Sequence, residues 1–548
     1  MAMSDHWYKH AIIYNLDVDT FQDSNNDGVG DFGGLTRRLD YLAGIGITCL
    51  WLLPFYPSPN RDNGYDVTDY YGVDPRLGSL GDFVEFMREA GDRGIRVIVD
   101  LVVNHTSDEH PWFQAARSDP QSPFRDFYVW DDNPPKDTSD QVVFPGVQES
   151  IWTYDEQAGS YYHHRFYKHQ PDLNIANEAV REEIRKIMGF WLELGVSGFR
   201  VDAAPFLIEL QDFQQDDADV AEPYQYLREF RDFLQVRRGD AILLAEANVS
   251  TDKMLEYFGD GDKLHMLFNF MVNQHYFLAL AQQRAEPLRR GLDALPQIPQ
   301  WSAWANFVRN HDELDLGRLS DEERQHVFDQ FGPEPHMQLY ERGIRRRMPP
   351  MLGGDWRRLR MAYSLMFTLP GTPVVRYGEE IGMGDDLALP ERESVRTPMQ
   401  WSGEANAGFS HAPADTLVRP IIDEGPFGFD RINVADQSRD EGSFLNFIER
   451  VIRVRKRCPE FGWGTVTILD TADPHVFAHC CTWQGESVIA VHNLIDEPRT
   501  ATLDFQNQAA DHLIDVLGDQ HYEPIDGGTH EVKLEPYGYR WFRVDGKR

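Results

Sequence analysis

The chain has 548 residues, and its 89 acidic side chains against 53 basic ones leave a formal net charge of −36. So acidic a protein is a poor partner for nucleic acid or for an anionic membrane surface. Hydrophobic residues make up 41% and aromatic residues 12% of the sequence, which predicts a globular protein with one large domain and smaller satellites.

The chain lacks two sequence signals of secretion and membrane insertion. No basic N-terminal stretch leads into an apolar run with a small-residue cleavage site, and no run of about 18 apolar residues occurs. We therefore expect a soluble, cytoplasmic protein, and a homo-oligomer is compatible with the sequence. The four cysteines (Cys49, Cys458, Cys480 and Cys481) lack the spacing of metal ligands and are expected to be reduced.

Eight short apolar runs recur along the chain, and several are near-continuous hydrophobic strings, typical of strands covered on both faces. The runs are Ala11–Val18, Cys49–Phe55, Arg96–Val102, Gly198–Ala204, Ile242–Asn248, Leu264–Phe270, Trp304–Asp312 and Thr372–Glu379. Segments with helical spacing lie between them: Leu35–Ile45, Leu80–Arg93, Ala179–Leu194, Tyr224–Val236 and Arg358–Leu369. This alternation predicts an α/β protein with a closed (β/α)8 (TIM) barrel.

Two regions depart from the strand–helix alternation. The stretch 105–175, between the third and fourth runs, is too long for one crossover and predicts an inserted subdomain B over the barrel mouth. From residue 464 to 548 the pattern changes to short strands, at Thr465–Leu469, His475–Trp483, Ser487–His492, Arg499–Phe505 and Tyr537–Val544, which predicts a C-terminal antiparallel β-sandwich. The barrel would then comprise residues 1–104 and 176–463.

Polar and titratable residues cluster at the predicted carboxyl ends of the barrel strands, where side chains of this fold face the active site. They are Asp100, Asn104, His105, Arg200, Asp202, Glu246, His311 and Asp312. A single residue of this kind is usually a solvated loop acid or a satisfied core histidine. The whole set at one end of the barrel indicates a catalytic site.

Asp202 and Glu246 have the environments that a pair of catalytic carboxyl groups needs. Arg200 and Asp202 are two residues apart, so on a strand both side chains point to one face and the guanidinium keeps the carboxylate ionised. Glu246 is flanked by apolar residues, which should raise its pKa and keep a proton available. Cleavage of a glycosidic bond requires such a nucleophile and such an acid.

The segments Asp100–His105, Gly198–Asp202, Glu246 and Asn310–Asp312 resemble the four signature regions of the α-amylase superfamily, glycoside hydrolase family 13. Further matching segments, such as Gly64–Asp66, Gln170–Asn174 and Gly378–Met383, extend the resemblance over essentially the whole chain. The resemblance implies a retaining enzyme that acts on α-glucosides, with sugars as its partners and no organic cofactor.

The resemblance also implies roles for single residues. Asp202 would be the nucleophile, Glu246 the general acid/base and Asp312 the third carboxylate, which grips sugar hydroxyls. The glucose-binding subsite would be lined by Tyr65, Asp66, His105, Arg200 and His311. Tyr65 and Asp66 have an alternative interpretation, because residues of these types also cap loops and helices.

A loop after the first strand places oxygen-bearing residues at alternating positions, as calcium loops do. The resemblance implies a structural Ca²⁺ held by Asp23, Asn25, Asp27, Asp31 and the Val29 carbonyl. The position of the bidentate glutamate of an EF-hand is occupied by Gly34. An Asx-turn loop without an ion is the alternative.

Within the superfamily, segments such as Trp51–Phe55, Ala245–Asn248, Arg309–Leu314 and Arg396–Trp401 resemble the trehalose synthases, which interconvert maltose and trehalose. The chain departs from that branch at Leu210–Asp217, at Phe268–Met271 and at Arg376. These departures, interpreted as changes near the mouth, leave an α-1,4-glucosidase or a transglucosidase as the alternative function. A catalytically inactive binding subunit is disfavoured, because all three acids are present.

Overall fold

A computed structural model describes residues 3–209, 224–504, 512–518, 522–524 and 529–545 of the chain. The segment Leu210–Asp217, singled out above, lies outside these residues. No helix in the described ranges combines the length and apolarity that a bilayer span requires.

Eight parallel strands close into a barrel, as the sequence predicts. They are β1 (Ile13–Leu16), β2 (Cys49–Leu52), β3 (Arg96–Leu101), β4 (Gly198–Val201), β5 (Ile242–Ala245), β6 (Met266–Phe268), β7 (Ala303–Phe307) and β8 (Thr372–Arg376). β1 closes the ring, because Ile13 pairs with Cys49 of β2 on one side and with Val374 of β8 on the other. Most predicted runs extend past the observed strands at their carboxyl ends, where the chain bends into the loops of the mouth.

Helices connect the strands and cover the barrel. Their bounds are Phe32–Arg37, Leu39–Gly44, Leu80–Asp92, Pro111–Ser118, Glu178–Glu193, Ala204–Glu209, Gln225–Arg237, Thr251–Phe258, Phe270–Gln282, Glu286–Asp293, Asp321–Phe331, Met348–Met351, Trp356–Thr368, Val434–Gln437, Phe444–Arg455 and Glu460–Trp463. Helix Leu80–Asp92 shows how local sequence favours such a helix. Ser79 and Asp82 form a reciprocal capping box at its start, and Phe83 and Phe86, three residues apart, are buried on one face.

One helix predicted from the sequence consists of two helices in the structure. The pattern over Leu35–Ile45 is interrupted at Arg38, whose backbone is not helical. The Arg38 side chain donates to Gln22 Oε1 at 2.6 Å, and its guanidinium lies 3.9 Å from the Trp401 ring centre. These distant contacts outweigh the local helical preference.

The region 105–175 contains a three-stranded antiparallel sheet, with Ser160–His163 between Trp130–Asp131 and Trp152–Asp155. Isolated bridges from His105 to Asp172 and from Tyr128 to Leu173 fasten the returning chain to its beginning. A second small sheet, Leu314–Asp315 with Gly343–Ile344 and Gln338–Leu339, lies beyond β7.

The C-terminal region is antiparallel. A six-stranded sheet has the order Thr465–Leu469, Val476–Trp483, Glu486–Asn493, Tyr539–Asp545, His512–Asp515 and Tyr522–Pro524, and a two-stranded sheet pairs Arg499–Asp504 with Thr529–Leu534. Apolar residues from both sheets form one buried cluster. All five predicted strands are present, and three of the observed strands were not predicted. The domain boundaries at residues 105, 175 and 464 stay predictions.

Candidate active site

A cavity of about 620 Å³ lies at the carboxyl ends of the barrel strands. Six of the eight predicted catalytic and sugar-binding residues line it: Tyr65, His105, Asp202, Glu246, His311 and Asp312. The parallel strands all end at this mouth, so residues distant in sequence become neighbours. The cavity volume is in the range of small-molecule sites.

Arg200 lies beneath the cavity and joins the acids. Its Nη1 is 2.5 Å from Asp202 Oδ1 and 2.8 Å from Asp100 Oδ1, while Nη2 pairs with Glu246 Oε2. The guanidinium is almost fully buried, and the Trp51 ring centre lies 5.4 Å from it. One buried cation therefore holds the two proposed catalytic carboxyl groups side by side.

Glu246 and Asp202 differ in environment. Burial raises the pKa of Glu246 to about 8, against the opposing effect of Arg200, and the nearby Asp202 and Asp312 raise it further. The Glu246 side chain nevertheless keeps 27% of its surface exposed, toward the cavity that it lines. A carboxylic acid that stays protonated near neutral pH can protonate a leaving group.

The backbone at Asp202 is also unusual. Asp202 follows β4, and the next residue, Ala203, has a φ of 48°, in the left-handed region that non-glycine residues rarely adopt. Such a conformation costs about 1 kcal/mol or more, and its persistence requires support from the surrounding structure. The sharp turn ends the strand and leaves Asp202 at the cavity wall.

Asp312 is held by cations. Its Oδ1 lies 2.7 Å from Arg392 Nη1 and 3.1 Å from Arg396 Nη2, and its Oδ2 lies 3.1 Å from His311 Nε2. Burial alone would raise the pKa of Asp312, but His311 and the two arginines hold it well below its ordinary range. His311 Nε2 is also 2.8 Å from the Tyr65 hydroxyl, which fixes both side chains.

Asp66 does not line the cavity. It is fully buried, and its carboxylate accepts hydrogen bonds from the Ser58 hydroxyl and from the backbone N–H groups of Arg61 and Asp62. Its oxygens thus cap a turn, which corrects the expectation of a sugar contact for Asp66.

The acid that does line the cavity is Asp62, four residues earlier. Its Oδ1 lies 2.8 Å from Arg392 Nη2, and its Oδ2 accepts from Gln170 Nε2 at 2.9 Å. Arg392 therefore joins Asp62 to Asp312. Sequence reasoning missed Asp62 and Arg392. Arg392 lies in the short 3-10 helix Glu391–Val395, and Arg396 directly follows that helix.

Arg342 lines the cavity and joins loops at its rim. Its Nη1 donates to the Val143 carbonyl of the inserted region at 2.9 Å, and its Nη2 and Nε lie 3.2 Å from Glu313 and 3.4 Å from Asp315. Asp315 Oδ2 also accepts from Asn248 Nδ2 at 3.2 Å, two residues beyond Glu246. These contacts join three loops at the rim of the opening.

An aromatic cluster adds contacts between the inserted region and the barrel loops. The Phe144 ring lies 4.8 Å from Tyr167 and 4.7 Å from Tyr340, measured between centroids. Both tyrosine hydroxyls donate to Glu391 Oε2, at 2.8 and 2.9 Å. The inserted region is therefore fastened to the barrel loops from two directions.

Arg376 does not line the cavity. It is buried at the end of β8, and its guanidinium donates to Asn15 Oδ1 at 3.0 Å and to Asp17 Oδ2 at 2.9 Å. The charge of Arg376 is therefore satisfied by Asp17 and Asn15, and its effect on the mouth stays a prediction. Of the other two departures, the segment Phe268–Met271 ends β6 and starts a helix, and Phe270 lines the cavity.

The loop 23–31 forms a compact turn. Asp23 accepts from the backbone N–H groups of Asn25, Asn26 and Gly28, and Asp31 caps the following helix by accepting from Gly34 N–H. Within the described residues, no three His, Cys, Asp or Glu side chains are grouped to share a metal ion. The donors are nevertheless all oxygens, which suits Ca²⁺ chemically.

Two family models match the chain. "Alpha amylase, catalytic domain" matches residues 15–329 and 345–464, and "Sucrose hydrolase-like, C-terminal domain" matches residues 485–543. The chain belongs to the α-amylase family.

Relatives of this α-amylase family member match along nearly its whole length. The trehalose synthase of Thermus thermophilus is 43% identical over 98% of the chain, which spans 55% of that relative's length. The trehalose synthase/amylase TreS of Mycolicibacterium smegmatis is 39% identical over 98% of the chain and 92% of the relative. The solved α-amylase of H. orenii has a TM-score of 0.78 at 27% identity, covering 98% of this chain and all of the other.

Proposed function

We propose that the protein is a retaining α-glucosyl-transferring enzyme that interconverts maltose and trehalose and hydrolyses a share of its substrate. The observation that carries this proposal is the pair Asp202 and Glu246, bridged by Arg200 inside a cavity at whose rim Arg342 joins the inserted region to the barrel loops. The likeness to trehalose synthases along 98% of the chain supports the choice of substrate.

In the first half-reaction, Asp202 attacks the anomeric carbon of the non-reducing glucose while Glu246 donates its proton to the oxygen of the breaking bond. The products are a glucosyl ester of Asp202 and free glucose. Asp312 and Asp62, oriented by Arg392, hold hydroxyls of the transferred sugar. Arg200 positions the nucleophile through its contact with Asp202 Oδ1.

In the second half-reaction, Glu246 acts as a base. The retained glucose turns in the cavity and presents its anomeric hydroxyl, Glu246 accepts that proton, and the ester bond to Asp202 breaks as trehalose forms. The contacts of Arg342 at the rim slow the escape of glucose from the cavity. Because the Glu246 side chain is 27% exposed, water also reaches the ester, and free glucose appears as a side product.

An α-glucosidase or transglucosidase is the alternative, distinguished by where the glucosyl group goes. Chromatography of a maltose digest should show trehalose accompanied by less glucose, and Asp202→Ala should remove both products. Asp415→Ala, at an exposed acid, is the matched control. Glucose without trehalose at every time point would establish a glucosidase, and longer glucosides would establish a transglucosidase. A crystal structure should place the Asp202 and Glu246 carboxyls about 5–5.5 Å apart, as retention requires.

We further propose that the loop 23–31 binds a structural Ca²⁺. The carboxylates of Asp23, Asp27 and Asp31, the Asn25 amide oxygen and the Val29 carbonyl would hold the ion, at about 2.3–2.6 Å in an occupied crystal. Support comes from the all-oxygen donor set and from the loop's contact with the 400s region, where Ser410 donates to Asp23 Oδ2 at 2.5 Å. The ion would stabilise the fold and take no part in bond cleavage.

A further inference from the structure

Lys253 and Arg318 are two exposed cations on the wall of the active-site cavity. Lys253 lies in the first turn of helix Thr251–Phe258, and Arg318 lies shortly after the strand Leu314–Asp315. Within the part of the chain that the structure describes, neither cation comes within 4.0 Å of an acidic oxygen. Their charge is therefore available to a ligand in the cavity.

The pairing of Arg342 and Arg392 shows the contrast. Both arginines line the same cavity, and each is paired with two carboxylates. Lys253 and Arg318 thus leave positive charge at one edge of the cavity, although the whole chain has a formal net charge of −36. Such a local positive charge favours a ligand that carries an anionic group.

The two cations are close enough to act together. The pKa of Asp252 is lowered, first by a hydrogen bond from the Ser250 hydroxyl, and the charges of Lys253 and Arg318 lower it further. Two cations and one exposed carboxylate leave a net positive charge at this edge. A phosphate ester carries between about 1.5 and 2 negative charges near neutral pH and accepts hydrogen bonds from both guanidinium and ammonium groups.

This edge lies toward the cavity opening and near the catalytic acid. Arg318 Nη2 donates to the Asn248 carbonyl at 2.5 Å, and Asn248 comes two residues after Glu246, so the two Cα atoms are at most about 7 Å apart. Lys253 and Arg318 are exposed, whereas Asp62 and His311 are buried. The cations therefore lie on the side where the leaving sugar exits and an acceptor enters.

We infer that the opening side of the cavity is an acceptor site for glucose 6-phosphate, whose phosphate lies between Lys253 and Arg318. The inference rests on the proposed glucosyl transfer and adds an acceptor to it. The phosphate belongs on the sixth carbon, because the anomeric hydroxyl must stay free to attack and the hydroxymethyl group projects away from the ring. The cavity of about 620 Å³ has the size of sites that hold ligands of these dimensions.

The transfer uses the same catalytic groups as the proposed isomerisation. After maltose has formed the glucosyl ester of Asp202 and glucose has left, glucose 6-phosphate enters with its anomeric hydroxyl toward Glu246. Glu246 accepts the hydroxyl proton, the oxygen bonds to the anomeric carbon of the ester, and the bond from that carbon to the Asp202 carboxylate breaks. Maltose and glucose 6-phosphate thus give glucose and trehalose 6-phosphate, with the phosphate ester unchanged.

The first test is calorimetric titration of Asp202→Ala protein, which forms no ester, with glucose 6-phosphate, glucose and inorganic phosphate. Glucose 6-phosphate should bind about twentyfold more tightly than glucose, because each solvent-exposed cation contributes up to about fivefold. Lys253→Met on this background should weaken binding of glucose 6-phosphate by about fivefold without changing that of glucose, and Arg318→Lys should retain most of the affinity. Lys186→Met, at an exposed lysine of helix Glu178–Glu193, is the matched control.

Salt provides a second readout of the same titration. Raising the ionic strength should weaken the binding of glucose 6-phosphate but not that of glucose, because only the former depends on exposed charges. Equal affinities for glucose 6-phosphate and glucose would overturn the inference. Inorganic phosphate that binds as tightly as the sugar phosphate would also overturn it, because the cations would then bind an anion without recognising a sugar.

The second test incubates the wild-type protein with maltose and glucose 6-phosphate and separates the products by anion-exchange chromatography with mass spectrometry. A phosphorylated disaccharide should form, and Lys253→Met should lower its yield relative to released glucose by about fivefold. Absence of this product would overturn the acceptor role. The digest of maltose alone tests the isomerisation separately: glucose without trehalose there, together with the phosphorylated disaccharide here, would reject the isomerisation and support the acceptor site.

Discussion

Arg342 provides the sharpest test of the proposed closure. Arg342→Met removes three polar contacts, with the Val143 carbonyl, Glu313 and Asp315, while keeping most of the side-chain volume. The Arg342 side chain is 26% exposed, so the ion pairs are partly screened. We expect the substitution to destabilise the closed mouth relative to the open mouth by about 2 kcal/mol. A charge-assisted hydrogen bond contributes about 1.5–3 kcal/mol, and solvent-screened ion pairs add less.

A loss of that size would multiply the population of the open mouth by up to about thirtyfold. Glucose would then escape and water would enter before the second transfer. The expected result is a glucose-to-trehalose ratio that rises by about tenfold or more, with total maltose consumption little changed, because Arg342 does not contact the reacting bond. Arg342→Lys should give an intermediate ratio of glucose to trehalose, because an ammonium group can replace one contact but cannot make the several directed hydrogen bonds of a guanidinium group.

The assay is chromatography of products at early times, with initial maltose consumption measured in the same samples. Arg453→Met, which removes an exposed helix ion pair with Glu449, controls for the loss of a surface arginine. An unchanged product ratio in Arg342→Met, in protein of normal thermal stability, would refute the closure argument. A fall in maltose consumption equal to the fall in trehalose would instead place Arg342 in substrate binding.

Three further predictions concern pH and metal. The kcat/KM for maltose should fall as pH rises through about 8, because burial raises the pKa of Glu246 to about 8 and the acid then loses its proton. In Glu246→Gln, this fall at alkaline pH should disappear from the residual activity. A fall that persists in the variant would show that another group titrates. Burial also raises the pKa of Glu379 to about 7, so the free energy of unfolding should decrease from pH 4.5 to 7, because the carboxyl ionises in the unfolded chain first. Glu379→Gln should remove up to about 3 kcal/mol of that decrease, as measured by denaturant titration at both pH values. An identical decrease in the variant would contradict the assignment. Chelation should lower the melting temperature of the wild-type protein but not of a variant carrying Asp23→Ala and Asp27→Ala. Calorimetry with and without added Ca²⁺ measures the difference, and equal effects on both proteins would disprove the site.

The positions of the acids could be predicted from local sequence. Near-continuous apolar runs indicate buried parallel strands, and parallel strands place their carboxyl ends together, so Asp202, Glu246 and Asp312 were expected at one mouth. The role of Arg200 as a partner of Asp202 follows from the two-residue period of a strand. Each inference needs only residues close together in the chain.

The closure of the site depends on the tertiary structure. Arg392 reaches Asp62 across 330 positions of sequence, and Arg342 reaches Val143 across 199, so neither pairing has a local signal. Asp66 and Arg376 show the converse, because comparison with the family suggested the mouth, whereas turn capping and a buried ion pair with Asp17 keep them from lining the cavity. Short-range periodicity determines which strand carries a side chain, whereas the partner that satisfies a buried charge is decided only when distant loops pack together.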